Sequence, residues 1–544
     1  MGAKEVLFRD AAREKVLRGA TALADTVRVT LGPRSRCVLI GRRWGRPLAC
    51  NDGVTIAREF ELRDPVTNLG AQMIRQAAER TAERVGDGTT TATILAQTIF
   101  SEGVRNVTAG ASAVALRQGL ERGLQTALRT LAALARKLET PREKAQVAAL
   151  SAHNDTTIGH MVAEALERVG PEGAITVEES RTTETHLEVA EGMLFSRGYI
   201  SPYFVTDPAK MEVILDNPAV LITEKRVSRL GDLLPLLERL AKEGRPLLLV
   251  AEDVDGEALA TLVVNKLRGV LAAAAVKAPE FGDRRRAALE DMAVLTGGRV
   301  VCDELGIAMD KLGPEVLGSV RRVVVTKEST TLVGGAGARD LVAARCEELR
   351  RLSAETTSEY DRQKLLERLA KLQGGVAVIR VGAPSETEMQ SRKEAFDDAI
   401  SATKAALSEG VVPGGGLALL RAAAAVSTEA QKCEGDERTG MLIFQRALEA
   451  PTRQIALNSA ADPGVIVARM MEGKDNLGFD AAHGVFTDLV AAGIIDPAKV
   501  LRVALENAVS IAGTLLFTEA TLTEEPEKGP TRNADNESSE TAAL

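Results

Sequence analysis

Aromatic side chains are nearly missing from this chain: of 544 residues only 3% are Phe, Trp or Tyr, with one tryptophan and three tyrosines. Alanine, leucine and valine must therefore fill its cores, since hydrophobic residues still make up 45%. Cysteine is sparse as well. Cys37, Cys50, Cys302, Cys346 and Cys433 are scattered, odd in number and without a Cys-x-x-Cys pair, which argues against a complete disulfide framework and for a reducing compartment. His153, His160, His186 and His483 have no metal-ligand spacing, so zinc is not expected. There is no run of ~18 apolar residues to span a bilayer, and Met1-Gly2-Ala3-Lys4-Glu5 opens neither a signal nor a transit peptide. A cytoplasmic protein without a membrane partner is expected. An excess of positive charge is missing too: the formal net charge is -8, which argues against nucleic acid as the main partner. The short basic run Arg284-Arg285-Arg286 reads as a solvated helix face.

What is present implies several domains, because single cores seldom grow beyond ~250 to 300 residues. The outer segments are patterned as helices, as in 11–29, 113–138 and 440–457, and the pattern is almost wholly helical before Lys137 and after Glu409. Between Ala190 and about Val376 short apolar runs alternate with helical stretches. Ala219-Val220-Leu221-Ile222, the helix 229–243, Leu247-Leu248-Leu249-Val250, the helix 256–269 and the run 270–276 predict an inserted α/β layer. Breaks at Thr140-Pro141, Gly374-Gly375 and Gly382-Ala383-Pro384 mark the way out and back, so 137–190 and 377–409 are expected to pair as a small hinge domain. The tail after Thr523 has no large apolar residue until Leu544 and is expected to be disordered.

Gly86-Asp87-Gly88-Thr89-Thr90-Thr91 is the most chemically suggestive run. Asp64 as N-cap and Pro65 in the first turn predict a helix to Val85, with Leu69, Met73, Ile74 and Ala77 on its buried face. The two glycines break it, and a second helix from about Thr90 points its free N–H groups and positive dipole end back at the loop. An anion is welcome there. Asp87 beside phosphate makes sense with a magnesium ion between them. Taken alone, the run fits an ordinary turn and N-cap better than a site, and it is no Walker A loop.

The helices 229–243 and 256–269 carry apolar residues around more of their circumference than one buried stripe needs. Such a helix is either sandwiched in protein or presents one face as a binding surface. Pattern favours burial slightly; Tyr199, Tyr203 and Phe204 nearby favour the surface.

Blocks in order along the chain resemble group I chaperonins of the GroEL type from Ala3 to about Thr523. They are Thr30-Leu31-Gly32-Pro33, Asn51-Asp52-Gly53-Val54, Gly86 to Thr93, Arg197 to Phe204, Ala251-Glu252-Asp253-Val254, Phe281-Gly282-Asp283-Arg284-Arg285, Asp397-Asp398-Ala399 and Gly410 to Gly416. The resemblance implies a multi-domain α and α/β fold. Residues 1–136 and 410–523 correspond to an equatorial ATPase domain, 137–190 and 377–409 to an intermediate domain, 191–376 to an apical domain and 524–544 to a polar tail. It further implies a homo-oligomer of two stacked seven-membered rings, a GroES-type co-chaperonin lid, non-native protein clients and the cofactors ATP and Mg2+.

By the same resemblance Thr30, Leu31, Gly32 and Pro33, with Asp87, Gly88, Thr89, Thr90 and Thr91, hold the phosphates, and Asp87 binds magnesium. Gly415, Asp480, Ala481, Ala482 and Asp496 contact base and ribose. Asp398 places the attacking water with Asp52 beside it, and carriage of Asp398 on a moving domain ties hydrolysis to closure. Tyr199, Tyr203, Phe204, Leu234, Leu237, Leu259, Val263 and Val264 match the apical surface that binds clients and the lid's mobile loop. ATP then twists the apical domains and the lid encloses the client in a polar chamber.

Five positions depart from the family's pattern. Asn51 stands where lysine is usual, near the nucleotide and the family's potassium site, which leaves K+ dependence open. Glu280 replaces a usual glycine, Leu407-Ser408 precede Glu409, and Ala395 replaces an arginine that ties neighbouring subunits. The tail lacks the family's Gly-Gly-Met repeats. The lead expectation is an ATP-driven folding machine. The alternative is a specialised paralogue, a client-specific holding or assembly scaffold with altered or weak ATP cycling. A metabolic phosphotransferase is a further rival, for which the sequence offers no acceptor base.

Overall fold

In the computed structural model, Asp64 starts the helix Pro65–Val85: its carboxylate accepts the Thr67 N–H at 3.2 Å and Pro65 takes the first turn. The model describes residues 4–41, 47–138, 140–152, 154–170, 173–180, 182–190, 192–208, 210–302, 312–356 and 358–524, so the polar tail beyond Glu524 lies outside the described residues. Two compact units emerge, one of residues 1–160 with 397–544 and one of 161–396.

In the first unit, small residues govern the packing. The buried face of Pro65–Val85 is made by Val66, Gly70, Ala71, Ile74, Ala77 and Ala78, with the expected Leu69 and Met73 only half-buried. The helix Arg9–Val27 approaches to backbone contact. A Cβ on Gly70 would lie 1.9 Å from the Val16 carbonyl oxygen, and one on Gly19 1.7 Å from that of Thr67. The same reciprocal crossing joins the helices Ala113–Leu134 and Gly435–Asn458 at Gly119 and Gly440. Around these crossings Leu23, Ile74, Leu95, Ile99, Phe100, Leu120 and Phe444 form one core. Each fully buried Leu, Ile or Phe contributes ~1.5–3 kcal/mol relative to exposure.

The expectation of almost wholly helical ends is corrected by short antiparallel pairs. Lys4–Phe8 pairs with Ala520–Glu524, Val38–Ile40 with Leu48–Cys50, Val411–Pro413 with Ile495–Pro497, and Leu477–Asp480 with Val485–Asp488. Strands this brief leave little period-2 signal, and two of the pairs form between segments far apart in sequence.

The second unit is α/β, as the alternation predicts. Its mixed sheet runs in the order Ala273–Lys277, Leu247–Ala251, Ala219–Thr223, Gly318–Val325, Thr330–Gly335, Gly192–Phe195, with the first three strands parallel. The residues of Leu247–Ala251 are all buried, which is why that strand reads as an unbroken apolar run. A separate sheet places Val376–Val381 between Ala174–Glu179 and His186–Ala190, pairing the outgoing and returning chain.

Candidate functional site

Pro65–Val85 ends on Gly86 at φ 72°, and Gly88 at φ 77° caps the next helix, Thr89–Thr108. Both glycines are required twice over. Their backbone angles disfavour L side chains, and an added Cβ would meet Ser401 Cβ at 2.4 Å or Val500 Cγ1 at 2.5 Å. The loop therefore delivers the free N–H groups of Thr89–Thr108 to one place.

That place is a cavity of about 690 Å³ within the first unit. It gathers all of the nucleotide and catalytic candidates. Thr30 to Pro33, Asp52, Asp87 to Thr91, Asp398, Gly415, Asp480 to Ala482 and Asp496 line it, together with the family departure Asn51. Thr30 Oγ1 donates to the Val27 carbonyl at 2.9 Å and lies 3.0 Å from Thr90 Oγ1, which ties the first phosphate block to the second. Asp52 caps the helix Gly53–Glu59, accepting the N–H groups of Val54 at 3.3 Å and Thr55 at 2.9 Å. Gly53 lies so close to Thr90 that a Cβ would come within 2.4 Å of its hydroxyl. Asp398 is carried half-buried on the helix Glu386–Glu409.

Sequence reasoning missed Ser151. It ends the helix Pro141–Ser151 and its hydroxyl donates to Asp87 Oδ2 at 2.9 Å, across 64 residues of chain. Nothing local to Ser151 signals this contact. His483 Nδ1 lies 2.7 Å from Asp480 Oδ2, a contact the sequence did not signal, and Arg34 donates to the Ala482 carbonyl at 2.9 Å.

Electrostatically the cavity crowds negative charge. Burial, with the nearby charge of Asp87, pushes the Asp496 carboxyl up to about 7. For Asp480 burial acts in the same upward sense. It is outweighed by hydrogen bonds from the His483 ring and from the N–H groups of His483 and Ala482, which hold this carboxyl below its usual range. Carboxylates and threonine hydroxyls are hard oxygen donors, and together with a nearby helix N-terminus they suit a hard divalent cation carried in with phosphates.

The second unit holds the apolar candidates. Tyr203, Leu234 and Val264 are exposed by 64%, 43% and 43%, while Tyr199, Leu259 and Val263 are half-buried. Phe204 and Leu237 face inward, 0% and 6% exposed, and belong to the unit's core. The amphipathic geometry explains the division: on Leu234–Glu243 the side chains of Leu236, Leu237 and Leu240 turn to the sheet and Leu234 turns away.

Comparison with known proteins agrees with this arrangement. The model of the TCP-1/cpn60 chaperonin family matches residues 23–526. The chain is also 62% identical to Chaperonin GroEL 5 of Bradyrhizobium diazoefficiens over 527 residues, 97% of either chain. A helical unit with an acidic and threonine-rich cavity and an α/β unit are the setting of the match, and this chain belongs to the TCP-1/cpn60 chaperonin family. Within it the chain is of the GroEL type, an ATPase that promotes protein folding.

Proposed function

We propose that the cavity of the first unit binds Mg-ATP and that its hydrolysis times the capture and release of non-native proteins at the apolar surface of the second. The observation that carries this reading is the convergence of Thr30 to Pro33, Asp52, Asp87 to Thr91 and Asp398 on one cavity. Phosphates lie against the N-terminus of Thr89–Thr108 and the Thr30 to Pro33 turn, and Gly415, Asp480 to Ala482 and Asp496 surround base and ribose. Asp87 holds the magnesium ion, which when bound neutralises phosphate charge. Asp398 orients the attacking water, with Asp52 beside it. Positioning and charge neutralisation suffice for phosphoryl transfer, so no covalent nucleophile is needed.

Tyr199, Tyr203, Leu234, Leu259, Val263 and Val264 form the client and co-chaperonin surface, with Phe204 and Leu237 supporting it from below. Hydrophobic contact is non-directional, which suits clients of no common sequence. Residues 1–136 and 410–523 make the ATPase domain, 137–190 and 377–409 the hinge, and 191–376 the client-binding domain. Pairing of Val376–Val381 with Ala174–Glu179 and His186–Ala190 supports the hinge assignment. Two stacked seven-membered rings in the cytoplasm, closed by a GroES-type lid, complete the reading. The holding-scaffold alternative draws no support from a cavity that keeps Asp52, Asp87 and Asp398 together.

The test is ATP-dependent refolding of a denatured enzyme with Mg2+, K+ and co-chaperonin, beside Asp398→Ala. The variant is expected to bind ATP and to hydrolyse it ~10²-fold more slowly. Failure of the wild type to refold its client with ATP, or wild-type hydrolysis by Asp398→Ala, would sink the reading.

A further inference from the structure

At the end of the helix Gly435–Asn458 an amide that does not itself line the cavity reaches the Thr30 to Pro33 turn, which does. Asn458 Nδ2 donates to two backbone carbonyls, Arg28 O at 2.9 Å and Leu31 O at 2.8 Å. Its Oδ1 accepts from Gln454 Nε2, one helical turn earlier, at 2.8 Å. The orientation of this amide is set by its partners: the two carbonyls require the NH2 group, and the Gln454 donor requires the oxygen.

The consequence for the cavity follows from peptide geometry. The bond between Leu31 and Gly32 is trans, as all described peptide bonds are, so the Leu31 carbonyl and the Gly32 N–H point in opposite directions. Asn458, outside the lining, holds that carbonyl. Leu31 lies at φ -83°, ψ 129° and Gly32 at φ 90°, and glycine, with no Cβ, accepts either orientation of this peptide. Leu31, Gly32 and Pro33 line the cavity. With the carbonyl bonded to a residue outside the lining, the N–H points the opposite way, the polarity an anion in the cavity needs. Flipped, the same peptide presents a carbonyl oxygen to the phosphates.

We propose that Asn458, oriented by Gln454, is a positioning residue for ATP: it sets the polarity of the Leu31–Gly32 peptide and thereby aims the Gly32 N–H at phosphate. The inference rests on the assignment of this cavity to ATP. It predicts an unusual order of severity. Asn458→Ala removes the restraint, whereas Asn458→Asp, nearly the same size, places a carboxylate against two carbonyls and drives the flip.

The full-length assembled protein is titrated with Mg-ADP and with adenosine, and ATP hydrolysis is resolved into KM and kcat. Asn458→Asp is expected to weaken ADP at least tenfold, Asn458→Ala about threefold and Gln454→Ala by no more than Asn458→Ala, with adenosine changed less than twofold throughout. KM for ATP rises with the ADP loss. A packing role alone makes Asp the milder change and weakens adenosine and ADP together; either result overturns the proposal. Should Asn458→Asp not assemble, the Ala and Gln454→Ala variants carry the same ADP-against-adenosine comparison. Asp87→Ala is run in parallel: if it leaves Mg-ADP binding intact, the cavity assignment fails, and if it abolishes binding while the Asn458 variants bind normally, only the positioning role fails.

Discussion

Among single residues, Asp496 has the most consequential environment. Burial first, and then the Asp87 charge, raise its carboxyl from an ordinary 3.8 to about 7. In the unfolded chain it ionises near 3.8, so between these values the folded state holds a proton that the unfolded state has lost. The sign follows: its contribution to stability is complete below 3.8 and is lost as pH rises towards about 7. Ligand-free wild type should therefore lose thermal stability relative to Asp496→Asn over that window, and the two midpoints should run parallel above it. Midpoints that stay parallel from pH 4 to pH 7 would refute the assignment. The loop glycines were legible at this scale as the break between two helices, where Gly86 and Gly88 take positive φ. Ser151 and Asn458 were not, since their partners Asp87 and Leu31 lie 64 and 427 residues away.

At the scale of elements, helices were read from their apolar period and their caps, and Asp64, Pro65 and Gly86 mark both ends of one correctly. The buried face was read less well. Leucine and methionine carry the strongest hydrophobic signal, yet the contact is decided by Gly70 and Gly19, whose missing side chains let two backbones meet. Gly70→Ala would put a methyl group 1.9 Å from the Val16 carbonyl oxygen and must push the helices apart. We expect it to cost ~2–4 kcal/mol or to block folding, measured by chemical denaturation, whereas an exposed substitution on the same helix such as Gln72→Ala stays within ~0.5 kcal/mol. In the second unit Asp291, 1% exposed, holds Arg345 and Arg368 and so links three helices, Gly282–Thr296, Arg339–Glu355 and Glu359–Gly374. Asp291→Ala takes the carboxylate from Arg368, while Arg345 keeps Glu290 and Glu348, and should destabilise by ~1–3 kcal/mol, measured by chemical denaturation.

For the whole molecule, the proposed function assigns the two tasks to different units: a cavity of hard oxygen donors in one, and exposed apolar side chains in the other. Mutations should separate them. Leu234→Ser with Val264→Ser removes exposed apolar area, and capture of a denatured protein is expected to fall about tenfold or more while ATP hydrolysis without client stays unchanged. Phe204→Ser, by contrast, opens the core of the unit and should lower its melting temperature. Equal loss of capture from both, with equal stability, would mean that Phe204 acts at the surface.

The amino-acid sequence alone determined most of the helices, the α/β alternation of the middle segment and the residue types of the Gly86 to Thr91 loop. Periodicity, caps and glycine angles are local properties, written within a few residues of where they act. Tertiary structure alone decided which apolar residues remain exposed, separating Leu234 and Val264 from Leu237 and Phe204. It also brought Asp52, Asp87, Asp398 and Asp496 to one cavity and set Asn458 against the Leu31 carbonyl. Hydrogen bonds and burial depend on distance in space, and the two ends of this chain meet only when it folds.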